Sequence, residues 1–421
     1  MKRVFRTLAT ICLIVMLPGL SVAAVNGNQL IGIGPVARSM GGVGVAYPMD
    51  AISAVFSNPA AMCFGLYCPG SQADFAVSFL VPDIQSKVTG PGVGGTIEAN
   101  ANNNVFEIPA IGVSIPLNKA MPLWRLGLAA YGVSGLGADF RGTALDQPNF
   151  FAPEVPLIAG EYTNLQTVKT APAIAFEPSD CLSFGLAFHL DYETLDLRHG
   201  SSYDFGWGVQ LGTLYKPTDN ISLGLTYISP QNVTHDNVVD IDHDGNLDSQ
   251  KVQAPQQIGF GAAYHVQADK LVVEGDVKWL NWANANGYDD LDYDNQWVFA
   301  LGLQYKPISK VALRAGYNYG KSPLDGHHGF NGTGISKLEG HSLPTYYYET
   351  YRTIGFATIL EHQLTFGASY ELTPNLVVNI GYEHSFQNTL TSTGTDLTGQ
   401  PVTLQTEVSG NTFDTGIIFR F

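Results

Sequence analysis

The chain has 421 residues, only 14% of them charged, and a formal net charge of −16. So acidic a balance argues against a nucleic-acid-binding protein and against adsorption to an anionic membrane surface. The charged fraction is low for a soluble surface of this size. Low charge together with 46 Gly, 20 Tyr and 22 Phe instead suits a β-barrel with lipid outside and small residues inside.

The N-terminus has the pattern of a secretory signal peptide. Positive charges lie within Lys2–Arg6, an apolar run covers Leu8–Leu17, and Ser21–Ala23 is a small-x-small cleavage site. We predict a signal peptide over residues 1–24. After it, no apolar run approaches the ~20 residues that a transmembrane helix needs, so the chain is either soluble and exported or a β-barrel.

The next segment, Gly32–Met62, is rich in Gly and nearly uncharged. A phosphate-binding loop does not fit, because no Lys-Ser/Thr pair follows the glycines and Pro35 interrupts the turn. A flexible linker, the alternative, would be richer in Ser and poorer in Val, Ile, Met and Phe. The composition favours a plug, or hatch, over residues 25–72 that folds inside a barrel.

From about residue 73 onward the chain alternates with period two, which is the signature of β-strands. In Trp297–Tyr305 one parity reads Trp, Phe, Leu, Leu, Tyr, and the other reads Val, Ala, Gly, Gln. A soluble sandwich would place Lys and Glu on its second face. Small residues on that face, with aromatics at strand ends, are typical of an apolar band with aromatic girdles.

The connections between strands alternate between short turns, such as Glu177–Asp180 and Lys216–Asp219, and long loops. Short turns at one end and long loops at the other are typical of an outer-membrane barrel. We therefore predict an all-β fold, a transmembrane antiparallel β-barrel of about 14 strands over residues 73–421, with the hatch in its lumen. The long loops are expected near 135–158, 233–253, 320–361 and 388–408. The candidate strands are near 73–81, 104–115, 124–134, 159–176, 181–195, 203–216, 220–232, 254–266, 270–281, 295–306, 310–319, 362–371, 375–387 and 409–421.

The chain resembles the FadL/TodX family of outer-membrane transporters for long-chain fatty acids and hydrocarbons, and the resemblance covers nearly the whole mature chain. A terminal Phe421 closing the last strand is also typical of such barrels. The residues that carry the resemblance are Arg38–Val43, Asp50-Ala51, Ser57–Ala60, Gly206–Gly208, Tyr215–Pro217, Leu225–Pro230, Trp282, Leu313–Tyr317 and Ser322-Pro323.

The resemblance implies a fourteen-stranded barrel with an N-terminal hatch and a lateral opening in the third strand, through which apolar ligand leaves into the membrane. It makes Asn58, Pro59 and Ala60, with Gly41 and Gly42, the hatch motif. It makes Tyr131, Gly132 and Gly135 the candidates for the lateral exit. Glycine in a strand marks a bulge or bend, although crowding against the hatch is an equal explanation. The chain departs from the family at Thr358–His362, which lacks the expected Pro-Asp and Arg, so the substrate stays open.

Passive transport of hydrophobic molecules, either long-chain fatty acids or aromatic and aliphatic hydrocarbons, is the function we predict, without a cofactor. A general porin is the main alternative, and an outer-membrane lipase or protease is a weaker one, since His189, His265 and His362 lack a Ser-Gly context. A porin would use inward-facing charges to line a water channel, but the same charges could instead bond the hatch, which we favour. These charges are Glu274, Asp276, Lys278, Arg314, Glu371 and Glu383.

Carboxylates at Asp240, Asp242, Asp244 and Asp248 match the first half of a calcium loop. Lys251 stands where a complete EF-hand needs a bidentate Glu, so only a weak, partial calcium site remains, beside the alternative of a solvated acidic loop. Cys63 and Cys68 bracket a short loop and could pair in an oxidising compartment. Spacing alone does not decide whether they do.

The predicted location is the outer membrane of a Gram-negative bacterium. The expected partners are a hydrophobic small-molecule ligand, outer-membrane lipid and lipopolysaccharide, and the barrel-assembly machinery. No nucleic-acid partner is expected, and the barrel is expected to be a monomer.

Overall fold

A computed structural model describes residues 25–64, 70–102, 105–118, 121–149, 156–242, 244–266 and 270–421. The predicted signal peptide lies outside the described residues. The described chain forms a closed antiparallel barrel of 14 strands, as predicted, in which the last strand pairs with the first. In chain order the strands are β1 Gln72–Gly90, β2 Phe106–Asn118, β3 Met121–Asp139, β4 Tyr162–Ser179, β5 Leu182–Asp196, β6 Ser201–Thr218, β7 Ile221–Ile228, β8 Gln257–Val266, β9 Leu271–Leu280, β10 Gln296–Ile308, β11 Val311–Gly320, β12 His362–Thr373, β13 Leu376–Thr395 and β14 Pro401–Arg420.

As predicted, alternate residues along a strand face lipid and the lumen. In β10, Trp297, Phe299 and Leu301 are exposed on the outer face, whereas Val298 and Ala300 are buried. Large apolar side chains are exposed in the same way on most of the other strands, and they form the outer apolar band. None of the helices in the described part of the chain is long and apolar enough to cross a membrane.

The long loop predicted at 388–408 is wrong, because β13 and β14 remain paired as far as Thr395 and Pro401. Inward-facing Leu390, Leu404 and Val408 keep the period of two in this region. Their neighbours are mostly Thr, Ser and Gln, whose polarity hides the strand pattern. On the other side of β14, β1 runs on to Gly90 and pairs with the strand Gly95–Asn100.

The hatch begins with a hairpin of two short strands, Val25–Asn26 and Gln29–Leu30, which we call the N-terminal hairpin. Two helices follow, α1 Gly34–Arg38 and α2 Ala51–Ser57, and then a 3-10 turn Pro59–Cys63. Asp50 caps α2 by accepting a hydrogen bond from Ser53 N at 2.7 Å. The hatch residues are buried throughout Asn26–Val55, inside the barrel.

The long loops bond one another at one end of the barrel, which we call the mouth. Their largest helical part is α3 Thr345–Thr350, which continues into a π-helix over Tyr351–Gly355. The remaining elements are the hairpin Gln231–Val239 with Asp248–Ala254, the hairpin Ile335–Leu338 with His341–Pro344, the strand His328–Phe330, and 3-10 turns at Pro91–Val93, Trp282–Asn284 and Asp289–Leu291.

Candidate functional site: the hatch, the cavity and the opening between two strands

The hatch lies against glycines on the inner face of the barrel. A Cβ atom built at Gly224 would lie 1.9 Å from the Val45 carbonyl oxygen, and one at Gly316 would lie 2.1 Å from Gly41 N. Because glycine has no Cβ, the two backbones can approach this closely. The same relation, within 3.0 Å of a hatch atom, holds for Gly112, Gly127, Gly185, Gly212, Gly261, Gly302, Gly367 and Gly416, each on a different strand.

This ring of glycines explains the small-residue parity that the sequence shows. The family resemblance accounts for the hatch, but it does not say which wall positions touch it. The contacts leave little room between the hatch and the wall at this level, so a molecule the size of a hydrocarbon ligand cannot pass there without displacing the hatch.

Carboxylates on the barrel wall accept hydrogen bonds from the hatch backbone. Asp276 accepts from Gly44 N at 3.0 Å and Val45 N at 3.1 Å, and Glu274 accepts from Ala46 N at 2.8 Å. Glu274 also accepts from Tyr47 N, and Lys278 donates to Gly42 O at 3.0 Å. On β1, Asp74 accepts from Ala51 N and Ile52 N at the start of α2.

Arg38 joins the hatch to the wall at β13 and β14. Its guanidinium lies 3.1 Å from Glu383 on β13 and 3.2 Å from Asp414 on β14, and all three side chains are buried. Four of the six inward charges thus bond the hatch, as the second interpretation expects: Glu274, Asp276, Lys278 and Glu383. Arg314 instead bonds Gln304 and Ser369 of the barrel wall. Glu371 differs, since it pairs with Arg420 at 3.8 Å in a partly exposed position.

The predicted hatch motif lies where two hatch segments meet the wall. Asn58 is fully buried, and its amide donates to Val45 O at 2.8 Å and to Thr213 O of β6 at 3.1 Å. Its carbonyl accepts from Ala60 N at 3.1 Å and so caps the turn that begins at Pro59. Gly41 and Gly42 have φ of +71° and +79°, which favour glycine, and a Cβ on Gly42 would lie 2.1 Å from Ile31 O.

The ladder between β2 and β3 is interrupted at the predicted exit. Its last pair is Ala110 with Tyr131, while β3 continues to Asp139 paired only with β4 on its other side. A bulge at Val133 shifts the β4 register between Gly132 and Ser134, inside the segment where a bulge is predicted. In the described part of the chain, β3 has no β2 partner from Gly132 to Ala138. Above this opening the chain rejoins β3, because Asn102 N donates to Asp139 O at 2.6 Å.

The N-terminal hairpin covers the opening from inside. Gln29 pairs with Ser134 of β3, in the place that a β2 residue would otherwise take. Gly135 lies next along β3 and pairs with Gln166 of β4. The turn of the hairpin contacts the loops at the mouth. Asn28 donates to the Tyr288 hydroxyl, and a Cβ on Gly27 would lie 2.5 Å from the Trp282 ring.

A cavity of about 50 Å³ lies between the N-terminal hairpin, α2 and the wall beside the opening. Its apolar lining includes Leu30, Ile31, Phe56 and Val133, and its polar lining includes Asn26, Ser57, Tyr131, Lys169, His189 and Lys278. A cavity that holds benzene measures about 150 Å³. The observed state therefore has room for one end of a ligand but not for a whole one.

Tyrosine hydroxyls of the mouth loops bind backbone carbonyls of neighbouring loops. Tyr346 donates to Leu157 O at 3.0 Å, Tyr347 to Pro156 O at 2.9 Å and Tyr348 to Asp290 O at 2.9 Å. Burial raises the pKa of each of these hydroxyls, so they stay neutral donors at physiological pH. These bonds hold the long loops together over the mouth.

The histidines considered for an enzyme have other contacts. His189 lies 3.2 Å from Gln210 and 3.3 Å from Lys169, and the His265 ring packs edge-on against Tyr47. His362 bonds the Tyr317 hydroxyl at 2.5 Å. Each histidine thus has a partner on the barrel wall or in the hatch.

The predicted calcium residues form two groups in the structure. Asp240, Asp242 and Asp244 have ligand oxygens within 4.8 Å of one another, while Asp248 groups with Asp242 and His341. Asp240 is already engaged, because it accepts from Asp244 N and Gly245 N at 3.1 Å. His341 adds a nitrogen, whereas calcium prefers an all-oxygen shell. A calcium site here stays a prediction, and so does the Cys63–Cys68 pair, because Cys68 lies outside the described residues.

Comparisons with known proteins agree with this geometry. Residues 192–329 match the family model "Outer membrane protein transport protein (OMPP1/FadL/TodX)". Outer membrane protein P1 of Haemophilus influenzae is 26% identical over 227 residues, which are 52% of this chain and 45% of that protein. The matched stretch thus spans less than half the length of this curated relative.

Solved structures show the same fold over nearly the whole chain. The toluene transporter TodX of Pseudomonas putida superposes with a TM-score of 0.66 at 19% identity, covering 93% of this chain and 99% of TodX. A FadL homologue of Pseudomonas aeruginosa gives 0.65 at 16% identity, with 94% and 99% covered. The toluene transporter TbuX of Ralstonia pickettii gives 0.64 at 16% identity, with 93% and 98% covered. Residues 192–329 are thus similar to the FadL/TodX family, and the chain as a whole has the fold of these Gram-negative outer-membrane β-barrels.

Proposed function

We propose that this protein transports hydrophobic small molecules passively, and that it releases them sideways into the membrane through the opening between β2 and β3. The observation that carries the proposal is the missing β2–β3 pairing from Gly132 to Ala138, directly beside the cavity between the N-terminal hairpin, α2 and the wall. TodX and TbuX, which share the fold, are described as toluene transporters. The proposal places the barrel as a monomer in lipopolysaccharide-containing membrane, after insertion by the barrel-assembly machinery.

The hatch contacts support a sideways route over a route through the barrel. A ligand that moved straight down would have to displace hatch segments held by Asp276, Glu274 and Arg38. The cavity, by contrast, is lined by Val133 and by Gln29 of the N-terminal hairpin, and both residues lie at the opening. Sideways release also keeps an apolar molecule out of water, where each exposed CH₂ group costs about 0.8 kcal/mol.

The rims of the opening suit an apolar ligand. Val105 on one rim and Val168, the β4 partner of Gly132, on the other are exposed apolar side chains. An unsatisfied backbone group in hydrocarbon costs several kcal/mol. Gln29 of the N-terminal hairpin pairs with Ser134 and so partly replaces the β2 partner that Ser134 lacks. This pairing reduces the number of unsatisfied backbone groups at the opening.

The test substitutes the glycine at the lower rim. A Cβ on Gly132 would meet the Ile108 side chain of β2 at 2.7 Å, so Gly132→Leu should fill the opening. Uptake of radiolabelled hexadecane by a Gram-negative host without its own transporters of this family should fall to the level of the empty vector. Heat-modifiable gel mobility should show a folded barrel.

The matched control is Gly275→Leu in β9, where a Cβ meets nothing closer than Ala300 O at 3.8 Å. This variant should transport hexadecane at the wild-type rate. Wild-type uptake by a folded Gly132→Leu variant would contradict the sideways route, and transport would then need another path.

A further inference from the structure

His327 joins three segments at the mouth. Its backbone is tied to β13, because His327 N donates to Ser392 Oγ at 3.2 Å and Thr393 N donates to His327 O at 2.8 Å. Its ring lies between two carboxylates. Nδ1 is 2.7 Å from Glu349 Oε1 on α3, and Nε2 is 3.6 Å from Asp292 Oδ2. The ring thus connects β13 both to α3 and to the loop that carries Asp292.

Glu349 relies on this contact. Its side chain is 2% exposed, and its Oε1 bonds the His327 ring. Within the described residues, its Oε2 has no hydrogen-bond partner. A buried carboxylate is costly unless it is paired and hydrogen-bonded. Since an ionised carboxylate can only accept, His327 Nδ1 carries the hydrogen of this bond. The charge of the ring therefore decides how well the buried carboxylate is compensated.

We propose that His327 is a pH-sensitive latch that holds α3 more firmly in an acidic medium than in an alkaline one. An imidazole ordinarily changes its charge between about pH 5 and pH 8. The protonated ring forms an ion pair with Glu349 and also attracts Asp292. After the ring loses its proton, only a neutral N–H bond to Glu349 remains. The inference concerns the mouth loops, and it does not depend on which molecule the barrel carries.

The other groups that face His327 from α3 and its continuation do not supply this pH dependence. Arg352, in the π-helix, donates its Nε to a backbone carbonyl at 2.7 Å and stays charged throughout. Tyr348 donates to Asp292 Oδ2 at 3.2 Å, and burial raises the pKa of its hydroxyl, so it stays neutral. Asp292 is 63% exposed, which makes it a weaker partner of the ring than Glu349.

The segment that carries His327 adds a self-contained ion pair. Lys321 and Asp325 lie 2.8 Å apart, and both are exposed. The neighbouring His328 ring bonds the Thr393 hydroxyl at 3.1 Å. The parts of β13 that touch His327 are uncharged.

A second contact between β13 and the π-helix does not titrate. The Thr353 and Ser392 hydroxyls lie 3.2 Å apart, and both residues are buried. Loss of the latch should therefore loosen α3 without releasing it.

The test measures amide hydrogen exchange of the full-length protein in detergent at about pH 5.5 and about pH 8.5, on either side of the usual imidazole range. Protection factors remove the pH dependence of the intrinsic exchange rate. Residues 345–355 should be about tenfold better protected at the lower pH, the size expected when a hydrogen bond gains a charge. His327→Gln keeps a neutral donor for Glu349 but binds no proton. Its protection should match that of the wild type at the higher pH and change little with pH.

The matched control is His328→Gln, because the ring of His328 bonds a hydroxyl rather than a carboxylate. This variant should keep the tenfold difference. Glu349→Gln removes the buried charge instead of the ring, so it should also lose the pH dependence without lower protection at the higher pH.

Equal protection of residues 345–355 at both pH values in the wild type would overturn the latch. A pH dependence that persists in His327→Gln would do the same, since another group would then titrate. If His328→Gln also lost the dependence, the effect would belong to the loop as a whole and not to the ion pair, which would again refute the inference.

Discussion

Two parts of the hatch are held to the barrel in very different ways. The segment from Arg38 to Cys63 is fixed by buried carboxylates, the Arg38 ion pairs and the ring of wall glycines. The N-terminal hairpin has one ladder pair to β3, through Gln29, and rests on Trp282 and Tyr288 through its turn. From this difference we predict that the segment from Arg38 to Cys63 is a fixed seal and that the N-terminal hairpin is the part of the hatch that is more easily displaced.

The difference between the two parts of the hatch predicts the largest effect for a substitution at Arg38. Arg38→Met would leave Glu383 and Asp414 buried without their cation, and breaking a buried pair in this way costs about 3–5 kcal/mol. We expect a corresponding loss in the free energy of unfolding in detergent and a higher conductance in planar bilayers. Arg420→Met is the control, because its pair with Glu371 is partly exposed and is worth at most about 1 kcal/mol. Equal effects of the two substitutions would argue against a fixed seal.

The glycine ring gives the next prediction. Gly224→Val places a side chain against the Val45 backbone, which cannot rotate away, and should cost about 3 kcal/mol through overpacking. The hatch should be pushed from the wall, so single-channel recordings should show openings that the wild type lacks. Gly275→Val, at a position with open space, should behave like the wild type. A closed Gly224→Val channel of normal stability would show that the fit between hatch and wall is loose.

Asn58 should show an intermediate effect. Asn58→Ala removes the partners of Val45 O, Thr213 O and Ala60 N, and we expect a loss of about 2 kcal/mol with a folded barrel and reduced uptake. Asn375→Ala, in an exposed turn where the amide bonds Arg420 O, is the control and should change neither quantity. If stability and uptake both match the wild type, Asn58 does not help to hold the hatch against the wall.

The smallest expected effect concerns the hairpin. Tyr288→Phe removes the hydroxyl that Asn28 bonds, a change of about 1 kcal/mol that should act locally. Amide hydrogen exchange should become faster in residues 25–30 and stay unchanged in α2. Tyr346→Phe, which loses a bond to Leu157 O elsewhere in the mouth, should leave the hairpin unaffected. Faster exchange throughout the hatch would mean that the two parts move as one.

Local sequence patterns predict most strands of the barrel and the faces of those strands. Alternation in Trp297–Tyr305 assigns the lipid face and the lumen face of β10, and turn residues such as those of Lys216–Asp219 mark the ends of strands. The same reasoning fails at 388–408, where Thr and Ser on one face make a strand resemble a loop. The family resemblance selects Asn58 and the Tyr131–Gly135 segment but does not supply their partners.

The sequence by itself predicted about 14 strands, the parity of strands such as β10, and a hatch, because these follow from the spacing and composition of near neighbours in the chain and from the family resemblance. Only the tertiary structure decided that Glu274 binds Ala46, that Arg38 lies between Glu383 and Asp414, and that β2 ends its pairing with β3 at Ala110. These contacts join residues that are tens to hundreds of positions apart. Their geometry depends on how the barrel closes and how the hatch packs inside it, and the pattern of neighbouring residues cannot predict either.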